Sequence, residues 1–302
     1  MKKMIVRLAE GLGNQLFMYA NAFSLSKKNN YDLYIDDESG FFKDKDICKY
    51  QLDNFNINSS ICNQSLKFNN HIKNLKRKLL IKTDFFKKKK MFLIEKQDKF
   101  KNTSFHNFYH KTFADLLYVE GHYETELYFD DLKDELKNQF SFRNNYLFKN
   151  NKYLNLIQNN PSVVSICIRQ NRYSERKKNK FDYDQITKSE NLTKNTIDYI
   201  YRATEFVEKK IDKPIYLLWS NDFNNLRSYF PESKFVFVEN FNNKTLVDFY
   251  LLLKCKNFIV GPTTFHWWPA WLNNDDNSII LRPKNINNSN NSDFWPKKWI
   301  SI

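Results

Sequence analysis

Glycine, proline and cysteine are scarce in this chain, and each shortage excludes a class of protein. Only 5 Gly and 7 Pro occur among 302 residues, which argues against a turn-rich all-β fold. The four cysteines are widely spaced, without a C-x-x-C pair or a histidine cluster: Cys48, Cys62, Cys167 and Cys255. This spacing predicts buried free thiols rather than a disulfide framework or a zinc site, and it fits a reducing, cytoplasmic setting.

Long hydrophobic runs are absent as well. The first apolar run, residues 4–8, is interrupted by Arg7 and is too short for the core of a signal peptide. No stretch approaches the roughly 20 apolar residues of a membrane-spanning helix. With 41% hydrophobic residues the chain can still fill the cores of two domains. We therefore expect a soluble cytoplasmic protein, and peripheral contact with the inner face of the cytoplasmic membrane stays open.

The net charge of +14 is concentrated in one segment, residues 67–101, which holds twelve Lys and one Arg against three acidic residues. Three interpretations rank in this order: a solvated lysine-rich face, attraction to an anionic membrane surface, and nucleic-acid binding. The lysines at 87–90 precede an apolar run at 91–94, a combination that suits a membrane interface. No nucleic-acid-binding module accompanies the charge, so no nucleic-acid partner is expected.

The hydrophobic pattern predicts strands that alternate with helices. The chain opens with a strand, a helix and a strand at 4–8, 15–28 and 31–35. The middle is less regular, with a strand at 113–120, a helix at 130–140 and an asparagine-rich boundary at 144–161. The second half alternates again, with strands at 163–169, 215–220, 235–238, 257–260 and 278–281 and helices at 193–210, 244–254 and 266–272. This order predicts an α/β protein with two doubly wound, Rossmann-like lobes, residues 1–155 and 156–302.

Ligands of such lobes bind at the carboxyl ends of the strands, so the residues after each strand are the candidate site. The first strand is followed by a loop with two glycines, Gly11 and Gly13, and then Asn14. Glycines allow the backbone to turn sharply and to approach a ligand closely, and the next helix offers its N-terminus to an anion. Leu16 breaks the G-x-G-x-x-G pattern, so a plain tight turn is an equally good interpretation.

Polar residues also follow three predicted strands of the second half. Arg169 ends an apolar strand, where a guanidinium can grip a diphosphate or form a structural salt bridge. Ser220 and Asp222 follow the next strand, and the carboxylate can accept hydrogen bonds from a guanine edge or cap a helix. An arginine, a carboxylate and hydroxyls suit a nucleoside diphosphate. There is no D-x-D pair after a strand and no His/Asp cluster with metal-ligand spacing, so no metal is expected.

The third of these loops contains Thr263, Thr264 and Phe265. Two hydroxyls and free amides at the start of a helix can cradle a phosphate. Phe265 and the nearby tryptophans can stack on a base or a sugar, although aromatic residues in such a run more often belong to the core. His266 is a candidate ligand contact, and a buried structural histidine is the commoner outcome.

Six stretches of the chain, taken together and in order, resemble one family. They are 11–20 (GLGNQLFMYA), 121–129 (GHYETELYF), 163–173 (VVSICIRQNRY), 217–222 (LLWSND), 248–272 (DFYLLLKCKNFIVGPTTFHWWPAWL) and 293–299 (DFWPKKW). The sequence thereby resembles the bacterial α-1,2-fucosyltransferases of glycosyltransferase family 11, within the wider GDP-fucose-using superfamily. The matches run over nearly the whole chain.

The resemblance implies a GT-B-like fold, with an acceptor-side N-terminal lobe, a GDP-sugar-binding C-terminal lobe and the active site in the cleft between them. It implies an inverting transfer, most readily of L-fucose from GDP-fucose, α-1,2 to a galactoside-type acceptor in a lipopolysaccharide or capsule precursor, without a metal or cofactor. By family analogy, Asn14 and Arg169 contact the diphosphate and Asp222 contacts the guanine. Thr263, Thr264 and Phe265 adjoin the phosphate and base, and Gly11, Gly13 and Ser220 shape the site.

The chain departs from the family pattern around its arginine. The family's H-x-R-R-G-D-Y reads CIRQNRY here, so Arg169 is kept while Gln170 and Arg172 replace the second arginine and the aspartate. The change leaves two alternatives to fucosyl transfer: another GDP-activated sugar, of mannose or heptose type, or a non-catalytic GDP-sugar-binding protein. The general base is open as well. Glu175 is the nearest candidate in sequence, followed by two others, Glu124 and Glu126.

Overall fold

The computed structural model describes residues 1–43, 48–95, 112–144, 151–175, 180–240, 244–273, 275–286 and 291–302. The chain divides into two compact units. Unit 1 comprises Met1–Asn144 and Ser289–Phe294, and unit 2 comprises Asn145–Asn288 and Trp295–Ile302. Each unit is built on one parallel sheet, which confirms the predicted α/β class with two Rossmann-like lobes.

Unit 1 contains five strands and three α-helices among its described residues. In chain order they are β1 (Lys3–Arg7), α1 (Leu12–Asn29), β2 (Asp32–Asp36), β3 (Ser60–Ile61), α2 (His71–Asp84), β4 (Lys90–Ile94), β5 (Phe113–Glu120) and α3 (Lys133–Gln139). The strands lie in the order β3-β2-β1-β5-β4, and every neighbouring pair is parallel. The predicted opening strand, helix and strand are confirmed as β1, α1 and β2.

Helix α1 is buried on nearly all sides and fixes the loop that precedes it. Its apolar residues Leu16, Phe17 and Tyr19 have no exposed surface, and the side chain of Gln15 is buried as well. The helix ends at Asn30, which adopts the left-handed conformation, with Lys27 and Lys28 in the last turn. A helix held this firmly positions its N-terminus reproducibly against the sheet.

Unit 2 contains six strands and five α-helices among its described residues. They are α4 (Lys152–Asn159), β6 (Val163–Ile168), α5 (Tyr183–Glu208), β7 (Ile215–Ser220), α6 (Leu226–Tyr229), β8 (Phe235–Phe237), α7 (Lys244–Leu252), β9 (Asn257–Ile259), α8 (Thr264–Leu272), β10 (Ile280–Arg282) and β11 (Ile300–Ser301). The strand order is β11-β10-β9-β6-β7-β8, again with parallel neighbours throughout. The core lies on both faces of β6, all six residues of which are buried.

Helix α5 begins ten residues before its predicted start at 193, because its first turns are polar and do not show the apolar period. Asp182 caps this start by accepting hydrogen bonds from the amides of Asp184 and Gln185.

In α8, Trp267, Trp268 and Trp271 are buried, so these aromatic residues belong to the core. All four cysteines are free; three are buried, as predicted, and Cys48 is half-buried.

Each sheet has one central strand from which the strand order continues toward both edges of the sheet. β1 lies between β2 and β5 in unit 1, and β6 lies between β9 and β7 in unit 2. At such a switch point the loops diverge and open a crevice at the carboxyl ends of the strands. The two crevices therefore lie at β1 and β5 and at β6 and β9.

No helix in the described part of the chain is long and apolar enough to cross a membrane.

Candidate functional site

Three loops of unit 2 meet at the carboxyl edge of its sheet, after β9, β6 and β7. These strands are neighbours, and their register aligns Ile166 with Ile259 and Ile168 with Ser220. The loops therefore begin at similar heights along the sheet. They contain every candidate residue that the sequence places in the second half of the chain. Within the described residues, no group of three or more His, Cys, Asp or Glu could hold a metal ion.

Arg169 is the first residue after β6, and its side chain is 41% exposed. One of its terminal nitrogens donates to both carboxylate oxygens of Glu175, at 2.7 Å each. The sequence predicts Arg169 as the cation that binds phosphate and Glu175 as the general base, and the structure pairs these two residues with each other. An ion pair this exposed contributes little stability, so an anionic ligand can replace Glu175 at little cost.

Gln170, which replaces the second arginine of the family pattern, joins the loops after β6 and β7. Its amide N–H donates to Oδ1 of Asn221 at 2.8 Å, and Nδ2 of Asn221 returns a bond to the Gln170 carbonyl at 3.1 Å. Its side-chain Nε2 donates to the carbonyls of Asp222 and Asn224. Asn171 follows in the left-handed conformation, with φ of 56°, which asparagine tolerates better than most residues. This structural role of Gln170 was not predicted from the sequence.

Ser220 and Asp222 form a tight turn after β7. The Ser220 hydroxyl donates to the Asp222 carbonyl at 2.5 Å and accepts from the Asp222 amide at 3.2 Å. One carboxylate oxygen of Asp222 accepts the Asn224 amide at 2.9 Å. The cap residue of α6 is Asn225, so Asp222 closes this turn and does not cap the helix. The second carboxylate oxygen has a weaker contact, 3.5 Å from Nδ2 of Asn171.

Thr263 and His266 fix the loop between β9 and α8. The Thr263 hydroxyl accepts the His266 amide at 3.1 Å and so caps the helix. His266 is fully buried; its Nδ1 accepts the Gly261 amide and its Nε2 lies 3.1 Å from the Ser165 hydroxyl. Burial lowers the pKa of His266 to about 3. The ring is therefore neutral, with its hydrogen on Nε2. Of the two roles considered from the sequence, ligand contact and buried structural histidine, His266 has the structural one.

Gly261 is required by packing. A Cβ built there would lie 2.1 Å from the Cys167 carbonyl oxygen, on the neighbouring strand β6. The glycine thus lets the loop after β9 lie directly against β6 at the switch point. Thr264 and Phe265 follow, half-buried, in the first turn of α8, where the helix supplies no partner for their amides. Phe265 packs against Phe249, with ring centroids 5.4 Å apart.

In unit 1 the loop after β1 has a different character. Glu10 adopts the left-handed conformation, with φ of 62°, which is strained for this residue type. Gly11 is the N-cap residue that precedes α1, and a Cβ built on it meets no atom within 4 Å. Gln15 is a structural residue; its side chain bonds the carbonyls of Glu10 and Lys49 and the amide of Gln51. The loop is therefore anchored on its helix side and open at Gly11.

Glu10 is held by two side chains. The side-chain amide of Asn14 donates to Oε2 of Glu10, which leaves the buried Oδ1 of Asn14 without a partner among the described residues. Oε1 of Glu10 lies 3.2 Å from Nε2 of His122, in the loop after β5. Burial opposes a charge on His122, but the hydrogen bond to Glu10 and the neighbouring acidic groups raise its pKa to about 9.

Glu10 and His122 therefore form a charged pair at the switch point of unit 1. Sequence reasoning missed both residues, although the signals were present: Glu10 directly precedes GLGNQ, and His122 lies in the GHYETELYF stretch. The other carboxylates considered as bases differ in exposure, since Glu124 is buried and Glu126 half-buried. The two sheets thus carry two polar strand ends, each with an ion pair: Arg169 with Glu175 in unit 2, and His122 with Glu10 in unit 1.

Comparison with known proteins places this architecture in a family. The family model described as "Glycosyl transferase family 11" matches residues 2–302. An O-antigen biosynthesis glycosyltransferase, WbnK, from Escherichia coli is 24% identical over 316 residues, covering 98% of this chain and 99% of that protein. An α-1,2-colitosyltransferase from Escherichia coli is 25% identical over 315 residues, covering 100% and 99%.

Solved structures were compared as well. The fucosyltransferase NodZ from Bradyrhizobium matches with a TM-score of 0.49 and 13% identity, over 89% of this chain and 91% of that one. Arabidopsis thaliana FUT1, as an R284K mutant with GDP, matches with the same TM-score and identity, over 90% and 68%. The assignment rests on the family model, which spans the chain almost from end to end. The chain is a member of glycosyltransferase family 11.

Proposed function

We propose that this chain transfers L-fucose from GDP-fucose to a galactoside-type hydroxyl of a surface-glycan precursor, forming an α-1,2 linkage with inversion. Membership of family 11 supports glycosyl transfer. The activities of the two relatives, O-antigen biosynthesis in one and α-1,2 transfer in the other, support the acceptor class and linkage. The first of them also supports a place in lipopolysaccharide assembly. We keep the cytoplasmic setting and the capsule alternative as proposals from the sequence. The observation that carries the proposal is the strand end at β6 and β9, where Arg169, in an exposed ion pair, follows β6 and the start of α8 follows β9.

The donor diphosphate is assigned to this strand end. Arg169 and the free amides at the start of α8 supply positive charge and hydrogen-bond donors on either side of the switch point. Thr264 and Phe265 adjoin the phosphates and the base, and Asp222 accepts from the guanine edge. Ser220 and Thr263 position their loops, since both hydroxyls are engaged in turns or caps.

The reaction is a single displacement at the anomeric carbon. The acceptor oxygen forms a bond to that carbon while the bond to the β-phosphate oxygen breaks, and GDP leaves with the electron pair. Arg169 stabilises the charge that develops on the leaving diphosphate, which matters most when the transition state resembles an oxocarbenium ion. The acceptor proton passes to a carboxylate. No metal and no covalent intermediate is invoked.

Glu10 suits the role of that carboxylate better than Glu175. Glu175 neutralises Arg169, so a base there would weaken the charge that the leaving group requires. Glu10 is oriented by Asn14 and His122, and its strained backbone is typical of functional positions. His122 stays protonated up to about pH 9, so it orients Glu10 and does not itself accept the proton. Asn14 acts in the same positioning role, and Gly11 keeps the loop open. Gly13, predicted to lie in this loop, is instead buried in the first turn of α1.

The donor assignment is tested with Arg169→Ala, measured for GDP-fucose turnover and for thermal stabilisation by GDP, UDP and CDP. We expect turnover to fall roughly a hundredfold or more and stabilisation by GDP to be lost. Arg202→Ala is the matched control, because Arg202 is exposed on α5 and, within the described residues, its side chain bonds the Asp198 carbonyl of its own helix. Stabilisation of the wild type by UDP but not GDP would contradict the proposal.

The base assignment is tested by comparing Glu10→Gln with Glu175→Gln. Glu10→Gln keeps the side-chain size and is expected to lower kcat by roughly a hundredfold or more while GDP still stabilises the protein. Glu175→Gln is expected to lower kcat far less. The reverse order of the two effects would return the role to Glu175.

A second candidate function is transfer of a different GDP-activated sugar. Gln170 ties two donor-side loops together where the family pattern has an arginine, and one relative is named as a colitosyltransferase. Competition of GDP-fucose turnover by GDP-sugars of colitose, mannose and heptose type separates these donors. GDP binding without turnover of any donor would instead favour a non-catalytic GDP-sugar-binding protein.

A further inference from the structure

The outward side of helix α2 is apolar. Ile72, Leu75 and Leu79 follow one another at helical spacing, and they are 83%, 60% and 56% exposed. Phe85 and Phe86 follow the helix directly and are 79% and 85% exposed, with their rings edge to face. These five residues, called here the α2 face, form a cluster of large exposed apolar side chains in unit 1. Such clusters mark interaction sites in soluble folds.

The opposite side of α2 packs against the apolar layer of the sheet, so the core of unit 1 does not include the α2 face. Leu80 and Ile81 contact the apolar layer that covers the sheet, near Phe92 and Tyr118. The Asp84 carboxylate at the helix end accepts the amides of Met91 and Phe92 at the start of β4. Helix α2 is therefore anchored along its inner side and at its C-terminal end, and its outer apolar stripe is held rigidly outward.

An ion pair fixes the same inner side. Arg77 forms a bidentate pair with Glu120 at the end of β5, and the partners are only 15% and 7% exposed. Lys67, just before the helix, is 3% exposed and pairs with Asp37 and Glu38, so a solvated-face interpretation is wrong for this lysine. Arg77 and Lys67 therefore stabilise the fold, and the positive charge on the exposed side of α2 comes from other residues.

Lysines border the α2 face. Between residues 71 and 90, nine Lys and Arg stand against one acidic residue. Lys90 caps the helix end by donating to three backbone carbonyls. Between residues 71 and 90, the exposed lysines without an acidic partner among the described residues are Lys76, Lys78, Lys82, Lys88 and Lys89. On the helix, Lys76 and Lys82 fall on opposite sides of the apolar stripe.

We propose that the α2 face docks on an anionic lipid bilayer. An apolar stripe bordered by lysines is the arrangement of helices that lie in the membrane interface, with apolar groups in the acyl boundary and ammonium groups among anionic headgroups. The aromatic pair at the end of α2 adds the deepest apolar group. The apolar run at 91–94, predicted from sequence to take this role, forms β4, in which Phe92 and Leu93 are buried. Residues 96–101 of the predicted basic segment lie outside the described residues.

The positive charge of the lysines around the α2 face distinguishes an anionic bilayer from two other possible partners, a second copy of the chain and a nucleic acid. A second copy of the chain would bring two faces of the same strong positive charge together, which opposes association. A nucleic acid would satisfy the lysines but leave five apolar side chains without a partner. Only a surface that is anionic outside and apolar below fits both features. The inference does not depend on which sugar the site transfers.

The test is co-sedimentation of the full chain with vesicles of phosphatidylcholine alone or with about a third phosphatidylglycerol. We expect binding to the anionic vesicles only, weakened by salt. Lys88→Gln/Lys89→Gln is expected to weaken binding by about fivefold for each lysine removed. Phe85→Ser/Phe86→Ser is expected to weaken it at least tenfold. Because all four side chains are exposed, the thermal stabilisation by GDP serves as an unchanged reference for folding.

Matched controls lie in unit 2. Phe181→Ser/Tyr183→Ser removes two aromatic side chains that are 90% and 79% exposed, and Lys209→Gln/Lys210→Gln removes two exposed lysines. Both are expected to leave vesicle binding unchanged. Equal binding to both vesicle types, or binding that survives the Phe85/Phe86 and Lys88/Lys89 variants, would overturn the proposal. So would self-association through Phe85 and Phe86, or oligonucleotide binding through these lysines, in a protein that ignores anionic vesicles.

Discussion

The loops at Glu10–Gln15 in unit 1 and Gly261–His266 in unit 2 look alike in sequence but are built differently. Each leads from a parallel strand through a glycine into a buried helix. A side chain at Gly11 would meet open space, whereas one at Gly261 would collide with the Cys167 carbonyl. One glycine is therefore a requirement of backbone packing, and the other leaves room beside a loop. Glycine before a helix does not by itself identify a binding site.

The histidines that accompany the two loops differ in the same way. His122 is charged by its contact with Glu10, and His266 is kept neutral by burial. The unit 2 loop is thus a rigid frame that presents its backbone amides, while the unit 1 loop presents a polarised carboxylate. This contrast supports a division of labour, with anion binding in one unit and proton transfer in the other.

The largest expected effect is the acid sensitivity caused by His266. Its folded pKa, about 3, is below the ordinary 6.5, so its contribution to stability is complete above pH 6.5 and is lost as the pH falls toward 3. At about 1.4 kcal/mol per pKa unit this amounts to at most about 5 kcal/mol. NMR titration of the imidazole should find His266 neutral down to pH 4. Titration near pH 6.5 would show that the ring is not buried as described.

Gly261→Ala is expected to destabilise the protein by roughly 3 kcal/mol or more, because the new methyl group cannot avoid the backbone of β6. Chemical unfolding of unit 2 measures the loss. A variant as stable as the wild type would remove the packing argument and make the two glycines equivalent.

His122→Gln is expected to cost about 1 to 3 kcal/mol at pH 7, since the folded pKa is about 9. The sign is opposite to that of His266: the stabilisation is complete below pH 6.5 and is lost as the pH rises through about 9. The wild type should therefore lose stability between pH 6.5 and 9, and the variant should lose less. Parallel pH profiles for both proteins would exclude the Glu10 ion pair.

Much of the fold could be predicted because long apolar strands such as 163–169 are visible in the sequence. Strands β3 and β11 have two residues each and leave no such pattern. Helix α2 was missed because apolar residues occupy both its inner and outer sides, so its sequence shows no single apolar face. The same feature that hid the helix marks its interaction surface.

The candidate site was predictable at the level of loops but not of contacts. Arg169 and Asp222 were chosen as candidates because they lie one and two residues after a predicted strand, and the structure places them after β6 and β7. The pairing of Arg169 with Glu175 depends on side-chain direction, which a linear sequence does not give. Glu10 and His122 meet only because β1 and β5 are neighbours, although they are distant in the chain.

The smallest expected effect on stability comes from Gly11→Ala, and it is the most informative about function. Gly11 has an ordinary φ of −76° and open space around its Cβ position, so only the poorer N-cap preference of Ala counts, and the free energy of unfolding should fall by no more than about 1 kcal/mol. If the space at Gly11 admits a substrate, transfer should nevertheless fall. Turnover at saturating and limiting acceptor, compared with GDP-induced thermal stabilisation, distinguishes the two substrates. A rise in acceptor KM with unchanged GDP binding would assign the open loop to the acceptor, whereas wild-type kinetics would mean that Gly11 contacts neither substrate.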